Sequence, residues 1–194
     1  MRIVAGQFKG RAISSPSEST TRPTTDRVRE SIFSSVYSRM PQLDEVRVLD
    51  AFAGSGALGI EAISRGVHEC VFFERDRAAR KVLEDNLKSL GLSAPRVQVR
   101  AQDVFETAQL GGPFKLVLLD PPYAYDARDV HEMLRRAAND GELEEGCVIV
   151  YEHAIANKEA VADAFADDAA FALTGQKKYG KIGVSYFRYS ECEG

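Results

Sequence analysis

Residues 46–66 read VRVLDAFAGSGALGIEAISRG, and their order decides the fold. VRVLDAF (46–52) is a near-continuous apolar run, suited to a strand buried on both faces. Gly54-Ser-Gly56-Ala-Leu-Gly59 then forms a GxGxxG turn, and the apolar periodicity beyond it predicts a helix ending near Gly66. A glycine pair in such a turn lets the backbone approach a ligand, and the helix amino terminus offers unpaired N–H donors.

The same alternation continues downstream. CVFFE (70–74) is a second strand, followed by a helix with Leu83, Leu87 and Leu90 on one side and Gly91 as its stop. RVQVRAQD (96–103), KLVLLD (115–120) and CVIVYEH (147–153) are the next strands. A helix carrying Val130, Met133, Leu134 and Ala137 separates the last two, and a short helix reaches Ala166. Two strands near 170–177 and 183–190 close the chain as an antiparallel hairpin around a Lys-Lys-Tyr-Gly-Lys turn. Upstream, strands Arg2–Ala5 and Gly10–Ile13 form a hairpin through Gly6-Gln7-Phe8-Lys9. A polar linker leads to a helix capped by Thr25 or Asp26, with Val28, Ile32, Val36 and Met40 on one face and Pro41 at its end. The expected architecture is α/β: a mostly parallel sheet covered on both faces, with an amino-terminal β-hairpin extension over 1–25 and the main domain over 26–194.

The 194 residues suit one domain, and their 44% apolar and 28% charged content is that of a folded globular protein. No apolar run nears the roughly 18 residues of a membrane span, and the first residues hold no secretion-type block, so a cytoplasmic protein is expected. Cys70, Cys147 and Cys192 are odd in number and outside any CxxC, which suggests neither disulfides nor a zinc site. The net charge of −4 divides unevenly: residues 1–43 carry +4 and the remainder −8. A basic arm can grip phosphates, whereas the acidic body does not suit a wide nucleic-acid surface.

Asp50, Glu74, Asp103 and Asp120 end the first four strands, and such ends line one crevice in an open parallel sheet. GxGxxG with an acid at the next strand end also describes a dinucleotide site. Four carboxylates are a hostile lining for a pyrophosphate, however, and suit S-adenosyl-L-methionine, which carries an ammonium and a sulfonium. Asp50 then helps hold the methionine part near Gly54 and Gly56, Glu74 accepts from the ribose hydroxyls, and Asp103 accepts from the adenine amine.

Asp120-Pro121-Pro122-Tyr123 follows the fourth strand directly. Two prolines fix φ and remove two N–H donors, leaving carbonyls free to point into a cleft. A carboxylate, a carbonyl and an aromatic ring together receive a planar base bearing an exocyclic amine. The Asp120 carboxylate and the Pro121 carbonyl accept its two N–H groups, and Tyr123 stacks on the ring. Transfer is an in-line displacement at the methyl carbon. A duplex base has to be flipped out, while an unpaired RNA base needs less unstacking. Cys70 and Cys147 read as core residues, which disfavours pyrimidine carbon-5 chemistry. His68, His131 and His153 are isolated, and no metal is expected.

FAGSGALGIEAISRG (52–66) followed by DPPY (120–123) resembles the class I methyltransferases that act on exocyclic amines. RIVAGQFKGR (2–11) and RPTTDRVRESIF (22–33) are more particular and resemble the RsmD family of bacterial 16S ribosomal RNA guanine-N2 methyltransferases. The resemblance implies a Rossmann-like class I fold of seven strands and a cytoplasmic, monomeric enzyme. Its expected substrate is the N2 of guanine 966, in standard rRNA numbering, within a small-subunit assembly intermediate. It places Gly54, Gly56 and Glu74 in the cofactor site and Asp120 to Tyr123 in the catalytic turn. Arg22, Thr25 and Arg27 fall near the active site, and Arg2, Lys9, Arg11, Lys177, Lys178 and Lys181 on RNA. Three other readings remain open: a DNA adenine-N6 methyltransferase, an NAD-dependent dehydrogenase, and a non-catalytic RNA-binding module.

Overall fold

The computed structural model describes residues 1–15, 25–122 and 124–191; Arg22, Tyr123 and Cys192 lie outside the described residues. Its strands are β1 (Arg47–Asp50), β2 (Glu69–Phe73), β3 (Val97–Arg100), β4 (Phe114–Leu119), β5 (Leu143–Ala154), β6 (Phe171–Tyr179) and β7 (Ile182–Tyr189). They form one sheet ordered β3-β2-β1-β4-β5-β7-β6. Neighbours from β3 to β5 are parallel, and β7 runs antiparallel between β5 and β6. The strand order turns back between β1 and β4, so a crevice opens beyond their carboxyl ends.

Helices α1 (Asp26–Arg39), α2 (Ala57–Ser64) and α3 (Arg77–Ser89) cover one face, and α4 (Ala127–Asn139) and α5 (Lys158–Phe165) the other. Alternate strand residues enter opposite cores: Val48, Leu116, Leu118, Val148 and Val150 face the α1 side, while Leu49, Val117, Leu119, Ile149 and Tyr151 face α4 and α5. Burial on both faces is why these strands read as continuous apolar runs. No helix among the described residues is long and apolar enough to cross a membrane.

Thr25 caps α1, its hydroxyl accepting from the Val28 amide, and Val28, Ile32 and Val36 are buried as their spacing predicts. Arg29 on the same helix is fully buried, which its charge did not announce. It is bonded to Asp26 and to the Arg2 carbonyl, and it faces Glu61 of α2 at 3.9 Å.

The first 15 residues differ from the two strands read in the sequence. Arg2 and Ala12 form one antiparallel bridge, flanked by hydrogen bonds from the Ile3 amide to the Arg11 carbonyl and from the Ile13 amide to the Met1 carbonyl, but beyond Ile3 the amides turn to α2 instead. Val4 and Ala5 donate to the Glu61 carboxylate at 2.8 and 3.0 Å, and the Gln7 and Phe8 amides to the carbonyl and hydroxyl of Ser64. Gly6, at φ +81°, lies so close that a Cβ there would stand 1.7 Å from the Ser64 carbonyl oxygen. Ile3 and Ile13 anchor this segment in the α1-side core.

Boundaries also move: β1 covers only Arg47–Asp50 of the run read over 46–52, and β5 begins at Leu143, four residues before the run read from Cys147. β3 stops at Arg100, because Asp103 begins a turn by accepting from the Phe105 amide at 3.0 Å. Lys177 and Lys178 belong to β6, since Gly180, at φ +61°, supplies the tight turn after Tyr179 pairs with Ile182.

Candidate active site

The glycine turn is held from both sides of the crevice. Ala51 donates to the Leu118 carbonyl and Ala53 to the Phe73 carbonyl, which fixes the turn between β4 and β2. Gly54, at φ +54°, has open space where a Cβ would stand, so its backbone is approachable. Gly56, at φ +82°, caps α2 without a side chain, and a Cβ there would meet Leu83 Cδ1 at 2.4 Å. Replacing Gly56 by alanine is therefore expected to cost about 1–3 kcal/mol through overpacking and left-handed strain. Chemical denaturation measures that loss, and titration with S-adenosylhomocysteine should show weaker binding.

Glu74 stands at the end of β2, half-buried. Its carboxylate accepts from the Gly54 amide at 2.8 Å and from the Asp76 amide at 2.7 Å, spanning the glycine turn and the start of α3. Asp50, only 1% exposed, accepts from the Gly59 amide at 2.9 Å and braces the first turn of α2. Burial pushes its carboxyl up to about 7; the Gly59 hydrogen bond opposes this, and the Glu74 charge adds to it. Asp103 is paired with Arg75 at 2.6 Å.

The Arg75 guanidinium lies 5.5 Å over the Tyr125 ring. Phe52, Phe105 and Tyr125 are all partly exposed, with ring centroids 4.9 to 6.0 Å apart. This aromatic wall beside Glu74 and Asp103 escaped the sequence reading. The available signal is that Phe52 and Phe105 each follow a predicted strand-end acid by two residues.

Asp120 directly follows β4 at the carboxyl end of the sheet and is partly exposed, Pro121 is buried, and Pro122 is exposed. The Tyr125 amide donates to the Pro122 carbonyl at 3.1 Å and closes the proline turn. Burial raises the Asp120 carboxyl well above the usual carboxylate range, with the charges of Glu152 and Asp50 adding to it. Glu152, 3% exposed at the end of β5, was also missed, because its run reads as one uninterrupted strand. Cys70 and Cys147 are buried, and burial raises both thiols.

The cations read as RNA ligands fall into two groups. Lys9 lies on the turn beside Ser64, at the carboxyl end of α2 and about 12 Å along that eight-residue helix from the glycine turn. Arg11 donates to the Ser89 carbonyl at the carboxyl end of α3, and Arg2 to the Gly10 carbonyl. Lys178 and Lys181 are exposed on the β6–β7 hairpin, where the Lys181 carbonyl accepts from Ile155 just past β5. The Tyr179 hydroxyl bonds Ser31 of α1, one turn from Arg27, and since Ala154 pairs with Ile182 the hairpin turn lies at the carboxyl end of β5, the end of the sheet that Asp120 also occupies. Two side chains are already engaged: Lys177 donates to the Ser35 hydroxyl at 2.7 Å, and the Thr25 hydroxyl caps α1. Ser14 returns to the crevice through Asn86, which exchanges hydrogen bonds with its backbone and donates to the Ser55 carbonyl.

A family model described as "Conserved hypothetical protein 95" matches residues 1–188. The chain is 37% identical to "Putative rRNA methyltransferase YlbH" of Bacillus subtilis (strain 168), across 97% of this chain and 98% of that one. It is 36% identical to "Ribosomal RNA small subunit methyltransferase D" of Escherichia coli (strain K12), across 81% and 76%. A solved structure described as "Putative methyltransferase yhhF from Escherichia coli" superposes with a TM-score of 0.78 at 30% identity, over 98% of both chains. The chain belongs to the conserved hypothetical protein 95 family, which is the RsmD family that its motifs resemble.

Proposed function

We propose that this protein transfers a methyl group from S-adenosyl-L-methionine to the exocyclic N2 of a guanine in small-subunit ribosomal RNA. It would act as a cytoplasmic monomer on an assembly intermediate. The observation that carries the reading is the meeting of the glycine turn after β1 with Asp120 after β4 at the topological switch of the sheet. The relatives named as ribosomal RNA methyltransferases support the RNA substrate.

The residues present fit the methyl donor. Gly54 leaves room for a ligand at the backbone, and Glu74 presents a half-exposed carboxylate at the end of β2. In this reading Gly54 and Gly56 admit the methionine end, with Asp50 holding the turn beneath it. Glu74 accepts from the ribose hydroxyls, and Asp103 from the adenine amine once Arg75 yields it. When bound, the donor supplies a methyl carbon activated by a sulfonium.

The amine of guanine is a poor nucleophile because its lone pair is delocalised into the ring. The Asp120 carboxylate and the Pro121 carbonyl accept its two N–H groups and favour a pyramidal nitrogen. Tyr123 stacks on the base and holds it at attack distance. Asp120 then takes the proton that the methylated nitrogen releases. Arg27, Lys178 and Lys181, with Arg22, grip phosphates around the mouth, and Arg2, Lys9 and Arg11 reach RNA further along the surface.

The test uses small-subunit particles lacking the modification and a labelled methyl donor. Nuclease digestion should return N2-methylguanosine, and calorimetry should show heat with S-adenosylhomocysteine and none with NAD. Recovery of N6-methyladenosine, or binding of NAD alone, overturns the reading.

A further inference from the structure

Asp120 has a neighbour that no motif marks. In the parallel pairing of β4 and β5, Leu118 aligns with Val150 and Leu119 with Tyr151, so the next aligned position sets Asp120 beside Glu152. Paired strands lie about 4.8 Å apart. Leu116 and Leu118 on β4, like Val148 and Val150 on β5, face the α1-side core, and the period of two carries Asp120 and Glu152 to that same face. Asp50, on β1, shares the face one row back, since it aligns with Leu118. Three carboxyl groups thus stand on three adjacent strands at one end of the sheet.

The carboxyl groups that act on Asp120 are Glu152 from β5 and Asp50 from β1, and Lys177 of β6 lies in the row of Glu152 beyond Val184, its amine on Ser35. Glu74 reaches this set through its charge on Asp50, and Arg29, the buried cation of α1 above this face, is engaged by Asp26 and Glu61. Placing buried Glu152 beside the partly exposed Asp120 is unfavourable for folding, because like charges in a poorly solvated site resist joint ionisation. Such an arrangement has a use where a carboxylate must take up a proton.

We propose that Glu152 is a positioning residue for Asp120: its negative charge, one strand away on the same face, fits the Asp120 carboxylate to take the proton that the target amine releases. This rests on the reading of Asp120 given above. In the step itself the nitrogen lone pair forms the N–C bond while the C–S bond breaks, its electron pair passing to sulfur as the thioether. The N–H proton then passes to the Asp120 carboxylate, which becomes the neutral acid. Burial and both neighbouring carboxylates act on Asp120 in the direction this requires.

The test is the pH profile of single-turnover methyl transfer at saturating donor. In the unchanged protein the rate rises with pH as Asp120 loses its proton beside Glu152. In Glu152→Gln the repulsion is gone, so this acid limb should move to lower pH by about one unit or more, and the plateau should fall because Asp120 is a weaker base. Glu152→Asp, which keeps the charge, should return the limb towards its original position. Superimposable profiles for the unchanged protein and Glu152→Gln overturn the proposal.

A second measurement needs neither turnover nor a variant. Carboxyl-carbon NMR of the full chain should show Asp120 and Glu152 titrating together in two steps separated by more than about one unit. Independent single steps at ordinary carboxylate positions overturn the pairing, whatever the methyl-transfer assay shows.

Discussion

Replacing Asp120 by alanine should lower methyl transfer at neutral pH by about 10³-fold, while binding of S-adenosylhomocysteine stays within about twofold. Asp120 stands just after β4, across the switch point from the glycine turn, which is held by the Leu118 and Phe73 carbonyls and the Glu74 carboxylate. On the proposed reading its removal takes away an acceptor for the amine protons while Gly54, Glu74 and Asp103 are unchanged. Unfolding is an easily separated alternative, because the carboxylate is destabilising where it lies. Burial and the charges of Glu152 and Asp50 all oppose its ionisation, so alanine relieves a cost in the folded protein. The melting temperature should hold or rise as activity disappears, a common trade at sites shaped for chemistry. Single-turnover labelled transfer, calorimetry and thermal melting on the same variant decide it. Retained turnover removes Asp120 from the mechanism.

The parts of this molecule that were legible in its sequence are those where one local pattern has one physical meaning. Val48 and Leu49 are both buried because helices cover both faces of the sheet, so β1 had to read as an unbroken apolar run. The glycine turn was legible because Gly56 needs φ +82° beside Leu83, a demand only glycine meets cheaply. What stayed hidden depends on partners distant in sequence. Glu61 receives the amides of Val4 and Ala5 from 57 and 56 residues away, so the docking of the first 15 residues on α2 has no local signature. No sequence pattern singles out Arg29, and its burial becomes intelligible only once Asp26, Glu61 and the Arg2 carbonyl surround it. Lys177 looked like part of a basic turn, but the β6–β7 register sends its amine to Ser35. Glu152 was hidden for a subtler reason. β5 runs on to Ala154 against β7, so no turn follows the acid to mark it as a strand end facing the crevice.

Asp50 should make the stability of the whole fold fall as pH rises from about 4 to about 7. In the unfolded chain its carboxyl releases a proton at the ordinary value of 3.8, whereas in the folded protein burial holds the proton until about 7. Below pH 3.8 both forms keep the proton and the stabilising contribution is fully present. Above it the unfolded chain ionises freely while the folded protein resists, so the contribution drains away until pH passes 7 and then levels off. The whole effect is worth about 4 kcal/mol as an upper figure. Asp120, raised for similar reasons, adds a change of the same sign. Asp168 is the contrasting case: burial raises it, but hydrogen bonds from His131 and Arg135 outweigh that and hold it low. Its influence therefore falls below pH 3.8 and does not mask the Asp50 window. Urea denaturation at pH 4.5 and 7.5 measures the drop, and Asp50→Asn isolates its source, because the amide oxygen still accepts from Gly59 without ionising. The variant should lose distinctly less stability than the unchanged protein across that interval. Equal losses in both would mean that the buried carboxyl beneath the glycine turn ionises as easily as one in water, and the brace on α2 would then carry no electrostatic cost.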